Sequence, residues 1–140
     1  MADKISKKHR SWNMSRIKSK NTAPEIRFRS LLHAAGFRYR LNVSNLPGKP
    51  DLVLKKYNSV IFVHGCFWHR HKNCKFATTP KSRTEFWNKK FQDNVSRDLR
   101  NQRELRLTGW QVLIVWECEI RQFPDRVLDR VRKQLIAQNH

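Results

Sequence analysis

Val60-Ile-Phe-Val-His-Gly-Cys-Phe-Trp-His-Arg-His-Lys-Asn-Cys74 opens as a buried strand and leaves it at Gly65. Between His64 and Cys74 fall three of the chain's six histidines, two of its three cysteines and the adjacent pair Phe67-Trp68. Packing alone requires no such mixture. Thiols and imidazoles at this density predict a metal site, and large apolar rings in a polar loop predict a surface that meets something flat. The remainder of the chain is then the scaffold that presents this loop.

At 140 residues the chain has room for one domain with a real core. Its 30 Lys and Arg against 11 Asp and Glu give a formal charge of +19, which favours nucleic acid or an anionic surface as partner. No apolar run approaches membrane-spanning length, and no apolar segment follows the basic N-terminus. No membrane partner and no signal peptide are therefore expected, and the expected compartment is the cytoplasm. There, cysteines are better read as metal ligands or free thiols than as disulfides. A ribosomal-type binder would share the charge, but eleven acids and 11% aromatics keep an enzyme in play.

Upstream of the central stretch, residues 1–20 form a basic arm, with Lys4, Lys7, Lys8, Arg10, Arg16, Lys18 and Lys20 around Trp12. Such a segment is a frayed terminus or an arm that orders on DNA. Residues 21–140 are expected to be a single domain. Thr22-Ala-Pro-Glu25 is a capping box with Pro in the first turn, and a helix follows to about Ala35. Phe28, Leu31, Leu32 and Ala35 form its stripe and Gly36 its stop. Phe37 to Leu41 alternates with period two, as a strand with one wet face does. Leu46-Pro-Gly-Lys-Pro50 reads as a turn, and Asp51–Leu54 and Ser59–Val63 as strands joined by a second turn.

Downstream, Ser82-Arg-Thr-Glu85 reads as another capping box, with a long helix to about Leu107 that places Phe91, Val95 and Leu99 on one face. Gly109 closes it. Trp110 to Trp116 is nearly all apolar and reads as a central strand buried on both faces. Pro124 begins a last helix, with Val127, Leu128, Val131 and Leu135 inward. The order α-β-β-β-α-β-α, without repeats, predicts one α/β domain.

Three constellations carry chemistry. Asp51 starts one strand and His64 ends the next, so a hairpin of this length brings them to the same sheet edge, with His69 a few residues away. One carboxylate plus phosphate oxygens suits a hard cation such as Mg²⁺, and a neutral His can take a proton from water. Asp51 has a plainer role too, as a strand-capping residue after Pro50. Second, Cys66, Cys74 and Cys118 with one histidine form a closed donor set for structural Zn²⁺. His69 and His71 are alternative fourth ligands at this spacing, and buried thiols without a metal are the competing account. Third, Phe67, Trp68 and Trp87 could wedge between base pairs or pack as a satellite core beside the metal.

At these residues the sequence resembles the very short patch repair (Vsr) endonucleases. The resemblance is carried by Leu46-Pro-Gly-Lys-Pro-Asp51, Ile61-Phe-Val-His-Gly-Cys-Phe-Trp-His69, Arg83-Thr-Glu-Phe-Trp87 and Val112-Leu-Ile-Val-Trp-Glu-Cys118, with Asn13-Met-Ser15 and the Thr22–Glu25 box in support. It spans about residues 10 to 120. It implies a restriction-endonuclease-like core of the PD-(D/E)xK class, with Phe62-Val63-His64 in place of the usual second acidic-x-Lys motif. It implies a nick 5′ to the T of a T·G mismatch left by deamination of 5-methylcytosine. By the same resemblance Asp51 and the Val63 backbone carbonyl hold Mg²⁺, and Glu25, His64 and His69 hold metal-bound waters, with His69 the favoured base. Zn²⁺ takes Cys66, His71, Cys74 and Cys118. Phe67, Trp68 and Trp87 look like an intercalating wedge, and the basic arm like a grip on the opposite groove. The implied partners are mismatched double-stranded DNA and other mismatch-repair proteins, the implied state a monomer, and the implied location the cytoplasmic nucleoid.

The loop departs from the best-known family pattern: His69-Arg-His-Lys-Asn-Cys74 replaces a run of histidines, and its second cysteine comes one residue later. Two rivals remain. A restriction-type endonuclease acting on matched duplex has less use for wedge aromatics. A zinc-stabilised DNA-binding module without activity gains nothing from a carboxylate beside phosphate.

Overall fold

The structure is a computed structural model that describes residues 22–41, 43–72 and 74–138. The basic arm expected at residues 1–20 lies outside them. Helix α1 (Ala23–Ala34) starts where Thr22 Oγ1 accepts from the Glu25 amide at 3.3 Å, and stops before Gly36, whose φ of +96° suits only glycine. A short strand β1 (Arg40–Leu41), strand β2 (Leu52–Leu54), a 3₁₀ turn (Lys55–Tyr57) and strand β3 (Ser59–His64) follow. Then come the long helix α2 (Thr84–Leu107), strand β4 (Gln111–Trp116), the short helix α3 (Glu117–Gln122) and helix α4 (Pro124–Gln138).

The strands form one mixed sheet in the order β1-β2-β3-β4, antiparallel except for the parallel β3–β4 pair. Helices cover both faces. Phe28 and Leu32 of α1, Ile120 of α3, and Val127, Val131 and Leu135 of α4 pack on Leu52, Leu54, Ile61, Val63, Leu113 and Val115. The opposite side chains, Val53, Val60 and Phe62, meet Leu105 of α2. Fully burying a Leu, Ile or Phe side chain contributes roughly 1.5–3 kcal/mol, so the first layer carries most of the apolar stabilisation. The chain is thus a mixed α/β protein. No helix among the described residues is long and apolar enough to cross a membrane.

Four expectations need correction. The segment Trp110–Trp116 is not central: β3, buried along its whole length, holds that place and β4 lies at the sheet edge. β4 is apolar because helices cover both of its faces, not because it has two strand neighbours. The extended segment Phe37–Leu41 pairs only over Arg40–Leu41. No capping box forms at Ser82–Glu85, because Arg83 takes a left-handed φ of 56° and α2 starts at Thr84 without a side-chain cap. Leu99 is 61% exposed, and the buried residues of α2 are Phe91, Gln102 and Leu105. A strict four-residue step drifts off a helix of 3.6 residues per turn, and the true inward row runs 91, 95, 98, 102, 105.

A tight turn positions the start of β2. Gly48 has φ +74°, and a Cβ there would sit 3.0 Å from Asn101 Cβ on α2 and 3.3 Å from Phe62 Cε1. Glycine lets the turn press against α2 and β3, and so sets where Asp51 enters the sheet.

Candidate active site and metal cluster

Asp51 stands one residue before the β2–β3 ladder, in which Leu52 faces Ile61. Its Oδ2 accepts from the Val63 amide at 2.7 Å. Burial pushes this carboxyl up to about 7, the Val63 hydrogen bond opposing it and Glu25 adding to it. Glu25, 1% exposed on α1, is paired with Arg29 one turn on. Asp51 and Glu25 therefore share one buried neighbourhood, while the donor atoms that come within 4.8 Å of one another on this side of the loop are those of His64, His69 and Asp98.

His64 ends β3 opposite Trp116 and is 5% exposed. Its ring lies parallel to that of His69, with centroids 3.8 Å apart and planes 5° from parallel. Burial first, and His69 second, push the His64 imidazole down to about 3, so it is uncharged at neutral pH. Its Nδ1 is buried without a hydrogen-bond partner among the described residues. His69 is brought back over His64 by a turn in which its amide donates to the Gly65 carbonyl at 3.1 Å. Its Nδ1 lies 2.6 Å from Asp98 Oδ2. In the neutral ring, a hydrogen on Nδ1 directed at this carboxylate leaves Nε2 as the acceptor.

Asp98 and Glu117 are the site residues that sequence reasoning missed. Asp98 sits on the inward row of α2, between Val95 and Gln102, and phasing that helix correctly would have found it. Glu117 opens α3, with Oε1 3.4 Å from where a Gly65 Cβ would lie. Burial raises its carboxyl, with Arg121 opposing. Its place between Trp116 and Cys118, inside a motif already singled out, was the available signal.

The second cluster lies across the same loop. Cys66, His71, Cys74 and Cys118 each offer a donor atom, all within 4.8 Å of one another. His71 Nδ1 is 3.3 Å from Cys118 Sγ and 3.7 Å from Cys66 Sγ, and its ring stacks on Trp116 at 4.1 Å. Of the two histidines left as alternatives, His71 is the one among the thiols and His69 the one beside Asp98. Cys118 comes from the first turn of α3, directly after β4. Burial pushes the Cys66 thiol up to about 12, and a bound cation is what would let such thiols ionise together. Three thiols and one imidazole fit a closed tetrahedral site.

Phe67, Trp68 and Trp87 gather around Phe91 of α2. Phe67 lies 5.0 Å from Trp68 and 6.1 Å from Trp87, and all three half-buried rings lean on the buried Phe91. They form both a small packed cluster and a partly open aromatic face.

The family model for DNA mismatch endonuclease Vsr matches residues 2–75. The chain belongs to the DNA mismatch endonuclease Vsr family. It is 49% identical over 121 residues to the DNA mismatch endonuclease Vsr of Escherichia coli, which covers 86% of this chain and 77% of that protein. It is 46% identical over 120 residues to the type II nicking enzyme V.XorIIP of Xanthomonas oryzae, covering 86% of this chain and 88% of the relative. It is also 46% identical over 121 residues to the type II nicking enzyme V.NmeAIP of Neisseria meningitidis, covering 86% of each. As a Vsr-family member the chain is a DNA endonuclease. The family match holds Asp51, the paired histidines and three of the four cluster ligands. Asp98 and Cys118 lie beyond it and join the site through the fold.

Proposed function

We propose that this Vsr-family enzyme is a Mg²⁺-dependent endonuclease that nicks one strand 5′ to the T of a T·G mismatch, the lesion left when 5-methylcytosine deaminates. The observation that carries the reading is the His69–Asp98 pair at 2.6 Å, stacked on an uncharged His64. A DNA-binding module has no need of an oriented proton acceptor beside buried carboxylates. Asp51 and the Val63 carbonyl would hold Mg²⁺, with Glu25 and His64 directing its waters. When bound, the cation supplies positive charge to the phosphate and makes water easier to deprotonate.

The chain's own residues do the rest. His69 takes the proton of the attacking water on Nε2 while Asp98 holds Nδ1–H and steadies the charge that forms. The water oxygen joins phosphorus as one ester bond breaks, and the departing sugar oxygen takes up a proton from solvent water. His64, excluded from solvent, stays neutral and accepts a hydrogen bond rather than repelling a cation. Zn²⁺ in the Cys66, His71, Cys74 and Cys118 set would tie the loop to α3 within a restriction-endonuclease-like core. Phe67, Trp68 and Trp87 would enter the base stack at the mismatch, and the N-terminal arm would grip the opposite groove. The enzyme would act as a monomer on the chromosome in the cytoplasm, alongside other mismatch-repair proteins.

The test is nicking of T·G and matched T·A duplexes in Mg²⁺ or EDTA, with Asp51→Ala as the inactive control. Cleavage of the T·G duplex alone, abolished by EDTA and by the substitution, is expected. Equal cleavage of both duplexes would instead make the enzyme a restriction-type nuclease.

A further inference from the structure

Arg70 separates the two sites. It stands between His69, which turns to Asp98, and His71, which turns to the thiols, and it takes a left-handed φ of 52°. Both terminal nitrogens of its guanidinium are engaged. Nη1 donates to the Phe67 carbonyl at 3.1 Å and to the Thr78 carbonyl at 2.8 Å. Nη2 donates to the Ala77 carbonyl and to Thr79 Oγ1, both at 2.9 Å. The same group lies over the Phe91 ring, 3.9 Å from its centroid, and 5.7 Å from that of Phe67. One side chain thus binds the metal loop to the strand of chain at 77–79. It also rests on the ring that backs Phe67, Trp68 and Trp87.

We infer that Arg70 is a positioning residue for mismatch selectivity: its guanidinium fork fixes the Phe67–Trp68 peptide, so the aromatic face meets DNA already ordered. The inference rests on reading Phe67, Trp68 and Trp87 as a wedge. The Phe67 carbonyl belongs to the peptide that joins the two rings, so holding it sets the direction in which both leave the loop. The cluster ligands pin the chain at Cys66 and His71, and Arg70 pins the stretch between them. Ordering incurred on folding is not incurred again on binding. Matched DNA is held through its phosphates and draws little on ring insertion, so loss of this order weakens the mismatch complex selectively. A lysine keeps the charge but cannot reproduce a planar fork with four acceptors and a stacked face.

The experiment titrates the full-length zinc-loaded Arg70→Lys protein against T·G and matched T·A duplexes at one salt concentration, without Mg²⁺, with zinc content and a thermal melt measured alongside. The ratio of the two affinities should narrow about fivefold, with zinc retained and the salt dependence on matched DNA unchanged. Trp68→Ala, run in parallel, should narrow it too. A wild-type ratio in Arg70→Lys while Trp68→Ala narrows overturns the role of Arg70 and leaves the wedge standing. A wild-type ratio in well-folded Trp68→Ala removes the wedge, and this inference with it. Should Arg70→Lys lose zinc or fail to fold, Thr79→Val, which deletes one exposed acceptor, is read the same way. A narrowed ratio then supports the role and a wild-type ratio overturns it.

Discussion

In the proposed mechanism His69 accepts a proton in a fixed direction only while its other ring nitrogen is held, and Asp98 lies 2.6 Å from that nitrogen. Asp98→Asn should therefore lower the single-turnover nicking rate by roughly 10²–10⁴-fold, the range seen when a general base or its orienting group is impaired. Zinc content and DNA affinity should stay at wild-type values. A near-normal rate would mean that another group takes the proton. Asp51 and His64 were legible because strand ends announce themselves: Pro50 and Gly65 bracket the two termini of one hairpin. Asp98 was not, since Asn94-Val-Ser-Arg-Asp98 has the composition of a solvated helix face, and only its phase relative to Phe91 and Leu105 turns it inward. Glu117 was hidden by its neighbours, the strand before it and the thiol after it. Of the two roles open to Asp51, the 2.7 Å bond from the Val63 amide shows that it does cap the ladder. It is also buried beside Glu25.

The loop between β3 and α2 leaves the sheet at Gly65 and meets Cys118 of α3 through His71. His71→Ala should release zinc and free the loop, seen as faster hydrogen exchange at residues 65–80 and an earlier melt, because a structural zinc contributes folding energy directly. His69→Ala should keep its zinc and lose rate only. Zinc loss from the His69 variant with retention in the His71 variant would exchange the two assignments. The turn before β2 is testable in the same way. Gly48→Ala adds a Cβ 3.0 Å from Asn101 Cβ at a φ of +74°, and should cost about 1–3 kcal/mol by chemical denaturation. A variant as stable as wild type would show that α2 yields there. The helix α1, with signals at both ends, was legible nearly to the residue, and α4 at its start. The helix α3 was not, because six residues directly after a strand, without a glycine or proline between, carry no punctuation. The place of β4 was misread because helices on both faces make an edge strand as apolar as a central one.

Across the whole molecule, the proposed reading divides the work of binding between a charge of +19 and one small aromatic face. The charge is indifferent to sequence: it neutralises phosphates and releases counterions, so affinity for matched duplex should fall steeply as salt rises. An aromatic wedge would act where pairing is already imperfect, since inserting rings between bases costs least where stacking is weakened. Phe67, Trp68 and Trp87 are half-buried on Phe91, so each is both support and contact, and a single truncation has two possible consequences. If the rings serve only as a satellite core, Phe67→Ala should melt early, lose zinc and bind every duplex worse. If they enter the DNA, a zinc-loaded Phe67→Ala should keep its affinity for matched T·A and lose affinity for T·G. Its salt slope on both should be unchanged, because no phosphate contact has been removed. The second outcome is expected, with a loss of roughly 1–3 kcal/mol on T·G, the worth of one base–aromatic stack. The measurement is a salt series on both duplexes with metal analysis of the same samples. Parallel losses on T·G and T·A at every salt concentration would return the three rings to the core and leave selectivity to be found elsewhere on the basic surface.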